Sequence, residues 1–130
     1  MTIQYSDLLA QFEALNVNVA EFGHRQHVQV AFEILHKYNY VDACSKYSNI
    51  ISTIASNAGA ADKFNVTITF AFLSLIAQRI NGTANGTDFE EFLEQNEDLL
   101  SKNALGNWYS NEELQSDFAR THFLLPGKAA

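Results

Sequence analysis

The sequence predicts an all-α protein: a compact bundle of five to six helices around a central buried helix at about 65–80. Three observations carry this. Apolar residues recur at three- and four-residue spacing along most of the 130 residues. Helix-capping residues stand at the starts of these runs, at Ser6, Thr87 and Ser110. No alternating apolar and polar stretch bounded by turns reads as a strand pair, although two Asn-Gly pairs occur at 81–82 and 85–86.

The first helix is expected over 7–15, after Ser6, with Leu8, Leu9, Phe12 and Leu15 as its stripe. The second is expected over 24–38, after Gly23. Val28, Ala31, Ile34, Leu35 and Tyr38 fall on one side of it, and Arg25, Gln26, Gln29, Glu33, His36 and Lys37 on the other. The third, 41–58, carries Ala43, Tyr47, Ile50, Ile51, Ile54 and Ala58, and Gly59 follows where a left-handed residue ends a helix well. The two-residue link 39–40 makes helices two and three antiparallel neighbours. The fourth, 65–80, is apolar nearly all round, which marks a buried helix. Thr87-Asp-Phe-Glu90 reads as a capping box for a fifth helix with Phe89, Phe92 and Leu93 inward. A short turn over 96–105 should bury Leu99, Leu100 and Leu105. Ser110-Asn-Glu-Glu113 is a second capping box, opening a last helix with Leu114, Phe118 and Ala119. No repeat or domain boundary is visible, so residues 1–130 read as one helical domain.

Composition narrows function. The protein is 47% hydrophobic and 18% charged, enough apolar surface to build a core. Fifteen acidic against eight basic residues give a formal charge of −7, and the basic residues are scattered. Neither nucleic acid nor an anionic membrane surface is an expected partner. The apolar stretch 66–80 is too short and too polar to span a bilayer. The single cysteine, Cys44, and the lack of a visible secretion signal fit a cytoplasmic location. On that basis the three Asn-x-Thr triplets, at Asn65, Asn81 and Asn85, read as chance. Cys44 reads as a buried inert thiol, His36 as a solvated surface residue, and His122 has no assignable place.

One pattern stands out as chemistry. His24 and His27 are three apart at the start of the second helix, so their rings are neighbours, and both lie on its apolar stripe. They are expected to point inward, beside the start of the fourth helix. Neutral imidazole is a frequent metal ligand and a general base, so the pair has catalytic and divalent-metal readings. A metal is the less favoured, because the spacing is not the zinc-helix i, i+4 pattern. The ordinary alternative is a histidine at a helix N-terminus and another bonded to a backbone carbonyl. Asn65 and Thr69 share a face with Phe72, and Asn65 also reads as a helix cap. Arg120 could clamp a carboxylate of the protein or of a ligand. Together these residues predict a small-molecule pocket lined by His24, His27, Asn65, Thr69 and Phe72, with Tyr109 or Arg120 at its mouth. The competing readings are an enzyme using the histidine pair, and a protein-interaction or homodimer module suggested by ten Phe and five Tyr.

The motifs resemble those of a small bacterial family. Phe22-Gly-His24-Arg-Gln-His27-Val-Gln-Val-Ala31 resembles its F-x-H-x-x-H-[LV]-x-x-A opening. Lys63-Phe-Asn65-Val-Thr67-Ile-Thr69 is similar to its central Y-H-E-T-x-T segment, and Phe89-Glu-Glu-Phe92 with Tyr109-Ser110, Leu114, Ser116 and Ala119-Arg120 resembles its Y-S-x-x-x-L-x-S-x-x-A-R ending. The resemblance covers about residues 20–126. It implies an all-helical fold and no established activity. It also implies a site in which a third histidine and a glutamate join the first two histidines. Asn65 and Val66 stand in their places here, which removes a strong ligand and an acid/base group. The tail differs as well, with Thr121-His-Phe-Leu-Leu-Pro126 where the family has an acidic residue and Pro-Asp.

Overall fold

The computed structural model describes residues 4–127; residues 1–3 and 128–130 lie outside the described residues. Seven α-helices and three short 3₁₀ turns make up the described residues, packed into a compact all-α bundle. They are α1 (Asp7–Glu13), α2 (His24–Lys37), α3 (Tyr40–Asn57), α4 (Val66–Asn81), α5 (Phe89–Gln95), α6 (Asn111–Leu114) and α7 (Asp117–Thr121). Among the described residues, no helix is long and apolar enough to cross a membrane.

The most enclosed helix is α2, not α4. α2 packs against α1, α3, α4, α5 and the 3₁₀ turn Glu97–Leu100. It buries Val28, Val30, Ala31, Phe32, Glu33 and Ile34, a wider arc than the expected stripe. On α4 only Thr67, Leu73, Leu75 and Ile76 are buried. Ile68, Phe70, Ala71, Phe72 and Ile80 are partly covered. The physical reason is that one flank of α4 is the wall of a cavity.

Glu33 departs most from expectation. The residue, expected in solvent, is only 3% exposed. The start of α1 lies over it, and Ser6 donates its backbone N–H (2.6 Å) and its hydroxyl (2.9 Å) to the carboxylate. Gln29 Nε2 donates to Glu33 Oε2 at 3.1 Å. Ser6 also caps α1 by accepting from Leu9 N–H.

α1 is two residues shorter than expected. Leu15 adopts φ 59° just past its end and is exposed, so it leaves the stripe. The same left-handed geometry after α3 falls on Gly59 (φ 72°), where the sequence places it. There Ala60 N–H reaches Ala55 O and Gly59 N–H reaches Ser56 O, a Schellman closure.

α5 is capped by Asp88, whose side chain accepts from Glu91 N–H at 2.9 Å. Thr87, the expected cap, instead donates to Ala84 O within the preceding turn. Leu99 and Leu105 are buried as expected, whereas Leu100 is exposed. The Ser110–Glu113 capping box forms, with bonds of 3.1 and 2.8 Å. The helix it opens stops at Leu114, and Ser116 caps a separate helix, α7. The break turns Phe118 out to 53% exposure, while Ala119 is fully buried.

Candidate functional site

The starts of α2 and α4 meet the inner side of α3 around a cavity of about 360 Å³. Its floor is apolar: Ala31, Tyr47, Ile51, Ile68, Phe72 and Leu73. Its polar side is Gly23, His24, His27, Lys63, Asn65 and Thr69. Five of the residues singled out in the sequence therefore converge here: His24, His27, Asn65, Thr69 and Phe72.

The two imidazoles are placed by backbone carbonyls. His24 Nε2 bonds Leu99 O at 2.8 Å, and its ring edge meets Phe72 with centroids 5.5 Å apart. His27 Nδ1 bonds Gly23 O at 2.8 Å, and its ring lies against Phe22 at 4.4 Å. The inward orientation expected for both holds only in part. His27 is partly covered, whereas His24 is exposed and forms the rim. A carbonyl can only accept, so the bonded nitrogen of each ring carries the proton. In the neutral rings, His24 Nδ1 and His27 Nε2 are left with lone pairs.

Burial pushes the pKa of His27 down, and the neighbouring His24 adds to this, while the bond to Gly23 O opposes it. The folded ring therefore resists a proton that the unfolded protein accepts near the ordinary value of 6.5. Stability should fall as the pH drops from that value to the lowered folded one, then level off. Above 6.5 this group should contribute no slope. His27→Asn keeps a donor for Gly23 O and does not titrate. Urea unfolding of both proteins between about pH 5 and 7 should show the wild type losing ground to the variant on acidification. Parallel profiles would contradict this.

Asn65 uses both ends of its amide group in structural bonds. Its Oδ1 caps α4 by accepting from Ile68 N–H at 2.9 Å, and its Nδ2 donates to Leu114 O at 2.7 Å. It shapes the cavity wall but is committed to the fold. Thr69 Oγ1 donates to Asn65 O at 2.7 Å and keeps its lone pairs.

Tyr109 and Arg120, expected at the mouth, lie elsewhere. The Tyr109 hydroxyl donates to Leu124 O at 2.7 Å, beside a separate cavity of about 180 Å³ with Leu105, Trp108 and Phe123. Arg120 pairs with Asp117 on α7 at 2.9 Å. Both are tied to the C-terminal stretch, which packs on α4 away from the histidines. The cation beside the cavity is Lys63, which opens the 63–69 motif segment but is absent from the pocket expected from the sequence. Its position two residues before the α4 cap was the available signal. Tyr47 and Ile51, expected as core residues of α3, also line the cavity floor.

Among the described residues, no group of three or more His, Cys, Asp or Glu could hold a metal ion. Among the described residues, no carboxylate or thiolate lines the cavity with the two imidazoles. Cys44 is buried, and that burial pushes its thiol up, away from the thiolate a nucleophile needs. His36, expected in solvent, is partly covered and lines a second cavity of about 370 Å³ with residues 83–87.

The fold and site define an all-helical protein with an apolar cavity edged by two carbonyl-oriented imidazoles. No protein-family model, curated protein or solved structure matches the sequence.

Proposed function

We propose that this is a small-molecule-binding domain whose ligand has an apolar, flat body and a hydroxyl or amine donor. The observation that carries the reading is the pairing of an apolar floor with two imidazole lone pairs. The floor takes a ring or short hydrocarbon, and about 360 Å³ lies at the small end of ligand cavities. His24 Nδ1, His27 Nε2 and Thr69 Oγ1 are acceptors, so they favour a ligand that donates. The motif resemblance to the helical bacterial family supports the same place, since its motifs supply His24, His27 and the 64–69 segment.

A second reading rests on the same atoms. A ring fixed by a carbonyl on one nitrogen presents the other as a base, the arrangement used in general acid–base catalysis. It differs from binding in one outcome: the bound compound is consumed.

The test uses phenol and indole as donor probes, with toluene as a ring that cannot donate. Calorimetry and thermal shift should show saturable binding of a donor probe, about 5- to 30-fold tighter than toluene, the ratio expected for one or two hydrogen bonds. His27→Asn, which removes one of the three acceptors, should reduce that preference. Ile51→Trp, which fills the floor, should remove binding of every probe while the far-UV spectrum stays helical. Absence of saturable binding by all probes, or binding indifferent to both substitutions, would overturn the reading.

A further inference from the structure

The loop between α4 and α5 holds the same tripeptide twice, Asn81-Gly82-Thr83 and Asn85-Gly86-Thr87. The site described above uses neither copy. Asn-Gly is the dipeptide most prone to intramolecular attack on the asparagine amide, because glycine leaves its own amide nitrogen sterically open. The two copies share this local chemistry, so any difference between them in the folded protein comes from structure.

The first copy is locked. Asn81 is the last residue of the 16-residue α4, and Gly82 N–H donates to Gln78 O at 3.1 Å. Thr83 adds a backbone bond to Ile80 O at 3.0 Å and a hydroxyl bond to Arg79 O at 2.6 Å. Bringing the Gly82 nitrogen onto the Asn81 amide requires undoing the last helical turn.

The second copy is open. Asn85 and Gly86 are the central residues of a turn closed by Thr87 N–H to Ala84 O at 3.3 Å and by the Thr87 hydroxyl to the same oxygen at 2.6 Å. Neither bond uses the Gly86 nitrogen. Among the described residues, no hydrogen bond is made by that N–H or by the Asn85 amide group. Asn85 is exposed, and Gly86 sits at φ 82°, a region that only glycine enters freely.

We propose that Asn85, and not Asn81, is a site of spontaneous deamidation in the folded protein. The Gly86 amide nitrogen attacks Asn85 Cγ, forming a C–N bond. The bond from Asn85 Cγ to Nδ2 breaks, and the NH₂ group leaves as ammonia with the proton from Gly86. A five-membered succinimide remains. Water from solvent opens it at either carbonyl, giving aspartate or isoaspartate. Both products add a carboxylate to the rim of the second cavity, which His36 also lines. The isoaspartate also inserts a methylene into the backbone inside the turn. The loop thus carries a covalent, time-dependent change of charge next to a polar cavity.

The test compares the two copies in one sample. The purified protein is held at mildly alkaline pH, then digested, and the peptides holding 81 and 85 are followed by mass spectrometry and isoaspartate methyltransferase labelling. In the folded protein, conversion at 85 should outrun conversion at 81 by about tenfold or more, as expected when one site needs local unfolding and the other does not. In concentrated urea the two should convert at similar rates. Asn85→Gln should abolish the early acidic species on anion exchange. Equal folded rates, faster conversion at 81, or no conversion at 85 while both react in urea would each overturn the proposal. So would a tenfold difference that persists in urea.

Discussion

Glu33→Ala should destabilise the fold by about 3 kcal/mol in urea unfolding, among the largest effects of any single polar substitution here. The carboxylate gathers the Ser6 N–H, the Ser6 hydroxyl and Gln29 Nε2 in a residue that is only 3% exposed. Removing it leaves these donors facing a small void. Bonds to a charged acceptor are worth about 1.5–3 kcal/mol each, but they share one acceptor and do not add in full. Glu33→Gln keeps one acceptor oxygen and should lose roughly half as much. The contact bridges 27 positions in sequence and holds α1 onto α2. Loss of α1 protection in hydrogen exchange should therefore precede global unfolding in the alanine variant. A change below about 0.5 kcal/mol would mean that water already serves this carboxylate.

Glu33 also shows where reading the sequence stops. The all-α class and the positions of α2, α3 and α4 follow from apolar spacing, and Gly59 and the Ser110 box from cap chemistry. These are local signals. The burial of Glu33 depends on a segment 27 residues away, which periodicity within α2 does not report. Thr87 and Asp88 are both good caps one position apart, and composition alone does not choose between them. The convergence of His24, His27, Asn65, Thr69 and Phe72 was legible because two helix starts carry short polar groups beside apolar stripes. Tyr109 and Arg120 were misplaced for the opposite reason. Their positions depend on how the C-terminal stretch crosses α4, and that crossing is set by bonds to Thr67.

Thr67→Val is the sharpest probe of that crossing. Thr67 is fully buried in the first turn of α4. Its hydroxyl donates to His122 O at 2.7 Å and accepts from Leu124 N–H at 2.9 Å, while Tyr109 closes the same strap on Leu124 O. Valine matches threonine in shape, so the substitution removes two hydrogen bonds without opening a cavity. Each backbone group left unpaired costs about 1–3 kcal/mol where water cannot reach it. Residue 122 is exposed, so the sum should fall near about 2 kcal/mol. Thr67→Ser, which keeps the hydroxyl, should recover most of it. Thr67 points about 200° around the helix from Asn65 and Thr69, on the side away from the cavity. The valine variant should therefore unfold earlier yet keep the donor preference of the cavity while folded. If its affinity for phenol or indole fell in step with its stability, the strap and the cavity would be one mechanical unit rather than two faces of the same turn.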